Sequence, residues 1–117
     1  MCIFKKKKIA NYLQTLQSED AEPFDMLLAE YLDGSFKRRL QSLEIAKIEI
    51  YVDWHEDYKC IGVQGKYRNY YLDVQIYPDI FMVAFDLDEA DEDTEYPLTS
   101  AEQFFRVLSV TIAHLQT

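Results

Sequence analysis

The spacing of apolar residues changes twice along this chain, and the change restricts the folds it can adopt. Apolar and polar residues alternate from Ile48 to Trp54 and again from Tyr70 to Tyr77, as in strands with one buried face. Before and after this region, apolar residues recur at spacings of three and four, which is typical of amphipathic helices. The sequence therefore predicts an α+β fold.

Two helices are predicted before the strands. In residues 9–17, Ile9 begins an apolar face with a helical repeat, directly after four lysines. A second helix begins near Pro23 and ends at Gly34, which suits a left-handed cap. Residues 35–42 contain Phe36 and Leu40 among basic residues, so a further helical turn there stays open.

Four strands are predicted next, at about residues 48–54, 58–64, 70–77 and 80–87. Gly65 is interpreted as the start of a tight reversal, and Pro78 and Asp79 as a turn. Every connection is too short for a parallel crossover, so the strands form an antiparallel meander.

The chain ends in a predicted helix over residues 99–116. Its apolar stripe includes Phe104, Phe105 and Leu108, and Thr99 and Glu102 have the spacing of a capping box. The stripe requires a sheet to cover, and the even-numbered strand residues provide an apolar face. We expect one domain, residues 1–117, with two N-terminal helices, a four-stranded sheet and the C-terminal helix packed on that sheet.

An acidic run follows the last predicted strand. Seven of the ten residues from 86 to 95 are acidic: Asp86, Asp88, Glu89, Asp91, Glu92, Asp93 and Glu95. Such a run repels itself and resists burial, so we expect a solvated loop that attracts a basic surface.

The charge distribution favours a basic protein partner. The formal net charge is −9, and residues 40–117 carry all of the excess acid. Nucleic acids and anionic membranes are bound through clustered Lys and Arg, so neither is expected as the main ligand. The two basic patches, Lys5 to Lys8 and Lys37 to Arg39, are interpreted as solvated helix ends or as an internal counterpart to the acidic half.

The cysteines and the hydropathy indicate a cytoplasmic protein. Cys2 and Cys60 are far apart and form no CxxC pair, so a reduced, buried Cys60 is the expectation. Polar residues interrupt the segment after the lysines, so we expect no signal peptide, and no apolar run is long enough for a transmembrane helix.

No metal, cofactor or catalytic motif is expected. An EF-hand register beginning at Asp91 places Tyr96 where the loop requires glycine. His55 and His114 are the only histidines, which are too few ligands for a zinc site. An enzyme that uses His55 with neighbouring carboxylates is the least favoured alternative.

A second candidate binding surface follows from the alternation in the strands. If the even-numbered residues face the C-terminal helix, the opposite face carries Tyr51, Asp53, Tyr71, Asp73 and Tyr77, together with Glu49 and Gln75. Tyrosines and carboxylates suit the recognition of a basic protein. The alternative is that the N-terminal helices cover this face.

These features favour a non-catalytic, acidic, protein-binding module. Small acidic bacterial immunity proteins, which neutralise toxins, are similar in general build and charge, so the first hypothesis is an inhibitor of a basic toxin or enzyme. The second is a small acidic chaperone or adaptor for a secreted protein, which would normally dimerise. A monomer and a homodimer are both compatible with the sequence.

Overall fold

The computed structural model describes residues 2–16, 18–55, 57–86 and 94–115. Its helices are α1 (Cys2–Thr15), α2 (Pro23–Asp33), α3 (Ser35–Ser42) and α4 (Ala101–Leu115), with a short 3₁₀ turn at Ser18–Asp20. Its strands are β1 (Ala46–His55), β2 (Tyr58–Tyr67), β3 (Tyr70–Ile76), β4 (Ile80–Asp86) and β5 (Thr94–Pro97).

The strands form one antiparallel sheet in the order β1-β2-β3-β4-β5. The predicted α+β meander is confirmed, but it has five strands rather than four. Residues of β5 lie within the acidic run and lack the length and alternation that identify a strand. Its Tyr96 pairs with Phe81 and stacks on that ring at 5.2 Å between centroids, and this packing places the segment on the sheet.

One hydrophobic core lies between the helices and one face of the sheet. The buried residues of α1, α2, α3 and α4 form a single cluster with the inward-facing strand residues. Those strand residues are even-numbered in β1 and β3, such as Val52 and Val74, but odd-numbered in β2 and β4, such as Val63 and Val83. The even-numbered residues expected to face the helices in β1 and β3 therefore do so, and the odd parity of β2 and β4 is set by the pairing registers.

The helices differ from the prediction at their ends. α1 begins at Cys2, so the four lysines lie within it, and the Lys6 ammonium is 5.4 Å from the centre of the Tyr31 ring. The open segment after Gly34 forms a separate helix, α3. Gly34 has a φ of 84°, a left-handed conformation that ends α2 as predicted and also begins α3.

Gly65 is not the predicted reversal. β2 continues to Tyr67, and the turn to β3 is formed by Arg68 and Asn69. A Cβ at Gly65 would lie 2.8 Å from Cγ2 of Ile45. Glycine at this position therefore lets β2 lie close to Ile45, and close approach of another segment is the other common reason for glycine within a strand.

The cap of α4 also differs from the prediction. Ser100 Oγ accepts a hydrogen bond of 2.9 Å from the backbone N–H of Gln103, whose side chain accepts one of 3.0 Å from the N–H of Thr99. The capping pair is thus Ser100 with Gln103, not Thr99 with Glu102. Glu102 instead accepts a hydrogen bond of 2.9 Å from Arg39.

Arg39 connects three helices. Its Nη1 lies 3.1 and 3.0 Å from the two carboxylate oxygens of Glu30 in α2, and its Nη2 reaches Glu102 in α4. The guanidinium carbon lies 3.8 Å from the centre of the Phe105 ring. One residue of the second basic patch is therefore an internal electrostatic partner.

Candidate partner-binding face

The sheet face that points away from the core cluster is called the outer face. Among the described strand residues, the pairing registers place on it five carboxylates and three tyrosines, together with Lys66. The carboxylates are Glu49, Asp53, Asp73, Asp86 and Glu95, and the tyrosines are Tyr51, Tyr58 and Tyr71. Tyr77, which follows β3, packs against Tyr58 on the same side. Among the described residues, the buried side chains of the helices belong to the core cluster, and none of them lies on the outer face. The alternative in which the N-terminal helices cover it is therefore wrong.

The tyrosines of the outer face are unusually accessible for large side chains. The relative exposures of Tyr51, Tyr58 and Tyr71 are 38, 47 and 54%, respectively. Among the described residues, only Met26 and Val110 are also large, apolar and exposed, and both belong to helices. Exposed aromatic side chains concentrated on one surface indicate an interaction site.

Tyr51 is held flat against the middle of the outer face. Gly62 lies opposite it on β2, and a Cβ at Gly62 would lie 2.0 Å from Cζ of Tyr51. The ring thus occupies the space that a side chain at Gly62 would need. The Tyr51 hydroxyl accepts a hydrogen bond of 2.9 Å from Nε2 of Gln75 in β3, so its position is fixed at both ends.

A buried thiol lies beneath this arrangement. Cys60 is 1% exposed, and its Sγ donates a hydrogen bond of 3.1 Å to Oε1 of Gln75. Burial raises the pKa of the Cys60 thiol, so the thiol stays protonated and is a poor nucleophile. The expectation of a buried, unpaired Cys60 is confirmed, and the thiol orients Gln75 towards Tyr51.

Tyr58 and Tyr77 form a ring pair at one end of the outer face. Their centroids are 6.0 Å apart and their planes meet at 72°. The interaction of Tyr77 with the Tyr58 hydroxyl raises the pKa of Tyr77 well above its ordinary value, and burial adds to this effect. The Tyr77 phenol is therefore neutral at physiological pH.

The opposite end of the outer face carries two carboxylates with unsatisfied oxygens. Oδ1 of Asp73 and Oδ2 of Asp86 are buried and accept no hydrogen bond from the described residues. Asp86 lies opposite Tyr71 and Asp73 lies opposite Ala84, so the two acids are diagonal neighbours on adjacent strands. An unsatisfied buried acceptor costs about 1–3 kcal/mol or more when charged.

The sequence-predicted site residues divide into two groups. Tyr51, Asp53, Tyr71, Asp73 and Tyr77 all lie on the outer face, which the alternation predicts. Of the acidic run, Asp86 ends β4 and Glu95 lies in β5, and both also belong to this face. Asp88, Glu89, Asp91, Glu92 and Asp93 lie outside the described residues. Whether any of these residues binds a partner stays a prediction.

Sequence reasoning missed Tyr58, Asp57 and Asp79 as candidate site residues. The sequence pattern places Tyr58 in a strand but does not predict which face it lies on, because the register of β2 depends on where the turn after it lies. The correct turn at Arg68 and Asn69 brings β2 and β3 into register, and Tyr58 then falls on the same face as Tyr77. Tyr58, Cys60 and Gly62 are alternate residues of β2 and therefore lie on one face of that strand. This spacing is the sequence signal that could have placed Tyr58.

Asp53 and Asp73 pair with Cys60 and Gln64 on opposite sides of β2, so they are separated by two strand spacings and do not face each other. Among the described residues, no three His, Cys, Asp or Glu side chains are grouped so that they could hold a metal ion.

None of the helices described is long and apolar enough to cross a membrane.

Comparisons of the chain with protein-family models, with curated proteins and with solved structures find no match. The function proposed below therefore rests on the geometry and chemistry of the outer face alone.

Proposed function

We propose that the protein is a non-catalytic binding module that holds a basic protein against its outer face, as an immunity-type inhibitor of a toxin or enzyme. One observation carries the proposal. The outer face collects Tyr51 and Tyr71 with Asp53, Asp73 and Asp86 on a surface to which no described helix contributes a buried side chain.

The chemistry of this face suits a basic partner. Tyrosine supplies a large contact area with few rotatable bonds, and carboxylates accept paired hydrogen bonds from arginine. Tyr51 is already fixed by Gln75 and Gly62, so less side-chain entropy is lost when a partner covers it. Asp73 and Asp86 add negative charge to the same face beside Tyr71.

The acidic run contributes at the same end of the sheet. Its anchor, Asp86, pairs with Tyr71, and residues 87–93 hold five carboxylates between β4 and β5. We expect these charges to speed the encounter with a positively charged protein more than they strengthen the final complex. The cytoplasm is the proposed compartment.

The experiment that tests this function begins with affinity capture from a lysate of the source organism at low and moderate salt. The retained protein is then purified, and its activity is measured as this protein is added. A basic protein whose activity falls to zero at one equivalent supports inhibition. A basic protein that is retained but stays fully active contradicts it, and a secreted substrate bound to a dimer favours the adaptor alternative.

A further inference from the structure

The outer face ends in a groove of about 510 Å³, called here the terminal groove. The β1–β2 and β3–β4 turns meet at this end of the sheet, and they contribute Asp57 and Asp79 to the groove. Tyr58 and Tyr77 form its aromatic wall. The groove lies at the Ile80 end of β4, opposite the end at Asp86.

The aromatic wall of the groove has an accessible ring. Tyr58 is 47% exposed and meets Tyr77 in an edge-to-face arrangement. Among the cation–π contacts of the described residues, none involves Tyr58 or Tyr77, whereas the Tyr71 ring has the Lys66 ammonium 5.1 Å from its centre. Among the described residues, neither groove ring therefore has a Lys or Arg side chain over it, and the His55 ring lies 6.4 Å from that of Tyr58.

Among the described residues, the carboxylates of the groove also have no internal counterion. Asp57 and Asp79 are exposed, and in the described part of the chain the ion pairs involve only Arg39, Glu30 and Glu102. Lys59 borders the groove, but its ammonium lies 4.6 Å from the Tyr12 ring and 4.8 Å from the Trp54 ring. Those rings are on the helix side of the sheet, so Lys59 does not neutralise the groove.

We propose that the terminal groove receives an arginine side chain of the basic partner, an inference that rests on the proposed function. A guanidinium can stack on an aromatic ring and donate paired hydrogen bonds to a carboxylate at its edge. Tyr58 supplies the ring, and Asp57 and Asp79 supply carboxylates on two sides of the groove. Lysine carries a compact, strongly hydrated charge, so it is less able to stack on the ring and donate paired hydrogen bonds to a carboxylate at the same time.

The test uses three short capped peptides, Gly-Arg-Gly, Gly-Lys-Gly and Gly-citrulline-Gly, each added at millimolar concentration to the whole protein. Backbone amide and tyrosine ring NMR shifts report the binding. We expect the arginine peptide to shift groove residues and to bind about tenfold more tightly than the citrulline peptide, which has the same shape without the charge. The lysine peptide should fall between them.

Three variants locate the binding. Tyr58→Ala should weaken binding of the arginine peptide about two- to fivefold, and Asp79→Asn should reduce the preference for arginine over citrulline. Met26→Ala removes a similarly exposed large side chain from α2 and should leave peptide binding unchanged. Equal shifts from the arginine and citrulline peptides, or equal losses in Tyr58→Ala and Met26→Ala, would overturn the proposal.

The outcome is separable from that of the proposed function. An arginine peptide that binds in the groove, with no basic protein retained in the capture experiment, leaves the groove site standing and removes the proposed function. A basic protein that binds equally well to wild type and to Tyr58→Ala, with no selective peptide binding, supports the function and removes the groove site.

Discussion

Tyr51 lies across Gly62, its partner on the neighbouring strand, and its ring occupies the place of the missing side chain. The glycine at position 62 therefore determines how the Tyr51 ring lies on the outer face. Because Gly62 has no Cβ, the ring can lie flat and reach Gln75 in β3 with a hydrogen bond of 2.9 Å. A tyrosine that would otherwise project from the sheet becomes part of its surface.

The substitution Gly62→Ala should therefore displace the Tyr51 ring without unfolding the protein. The displaced atoms are at the free end of a side chain, which can rotate. The lost hydrogen bond costs about 1 kcal/mol, and the reduced entropy of the unfolded chain returns about 0.4–1 kcal/mol. We expect urea unfolding to show a net change below about 1 kcal/mol, while affinity for the partner falls.

Gly65→Ala is the matched control. It adds the same methyl group to the same strand, but on the core side, where Cγ2 of Ile45 would lie 2.8 Å and the backbone oxygen of Ala46 3.1 Å from the new Cβ. Overpacking of this kind costs about 1–3 kcal/mol. Equal losses in the free energy of unfolding for Gly62→Ala and Gly65→Ala would show that the Tyr51 ring does not rotate away from the added methyl group.

Neutralising the acidic run should affect the rate of association. The triple variant Asp91→Asn, Glu92→Gln, Asp93→Asn removes three charges from residues 87–93, and we expect a slower association with a flatter dependence on salt, while dissociation changes little. Stopped-flow or surface plasmon resonance at several ionic strengths measures both rates. An unchanged association rate and salt slope would remove this segment from the mechanism.

The contact between α1 and α2 should make the protein sensitive to alkali. The Tyr12 hydroxyl donates a hydrogen bond of 2.9 Å to Oδ1 of the buried Asp25. Burial, followed by this hydrogen bond and the Asp25 charge, raises the pKa of Tyr12 to about 12 from 10.0. In the folded state the phenol keeps its proton where the unfolded chain loses it. Stability is therefore fully present below about pH 10 and falls between pH 10 and 12.

Tyr12→Phe provides the comparison for that pH dependence. It removes the titrating hydroxyl and keeps the ring, which packs edge-to-face against Trp54 at 5.0 Å. Urea unfolding from pH 8 to pH 12 should show a smaller decline for Tyr12→Phe than for wild type. Identical declines would assign the alkaline loss to other groups.

Arg39→Lys should destabilise the helical layer by about 1 kcal/mol. Lysine keeps the charge but loses the contact of the planar guanidinium with Phe105 and its simultaneous contacts with Glu30 and Glu102. Glu102→Gln should cost less, because the Glu102 side chain is 73% exposed. Thermal unfolding compares the two variants, and a larger loss in Glu102→Gln would contradict this ranking.

The local sequence pattern predicts much of the fold because the face of a strand residue is decided by parity alone. The alternation in β1 places Tyr51 and Asp53 on one face, and the alternation in β3 places Tyr71, Asp73 and Tyr77 together in the same way. The pattern within one strand does not predict which residues of the neighbouring strand share that face. This depends on the position of the turn between the strands, such as the turn at Arg68 and Asn69.

The coverage of the outer face and the presence of β5 depend on tertiary packing. The N-terminal helices could have covered either face, and only the joint core of α1 to α4 excludes the outer one. β5 is a strand because Tyr96 stacks on Phe81 and its backbone pairs with β4. The sequence around it, with Glu95 and Pro97, favours a loop. The terminal groove was missed for the same reason, since it joins two turns that are distant in sequence.

The most direct test of the central claim compares two double variants for binding to the captured basic protein. Tyr51→Ala with Tyr71→Ala removes two exposed aromatic side chains from the outer face, while Met26→Ala with Val110→Ala removes two similarly exposed side chains from the helices. Calorimetry should show an affinity at least about tenfold weaker for the tyrosine variant and unchanged for the helix variant. Unchanged affinity in the tyrosine variant, or an equal loss in both, would contradict the outer face as the binding surface.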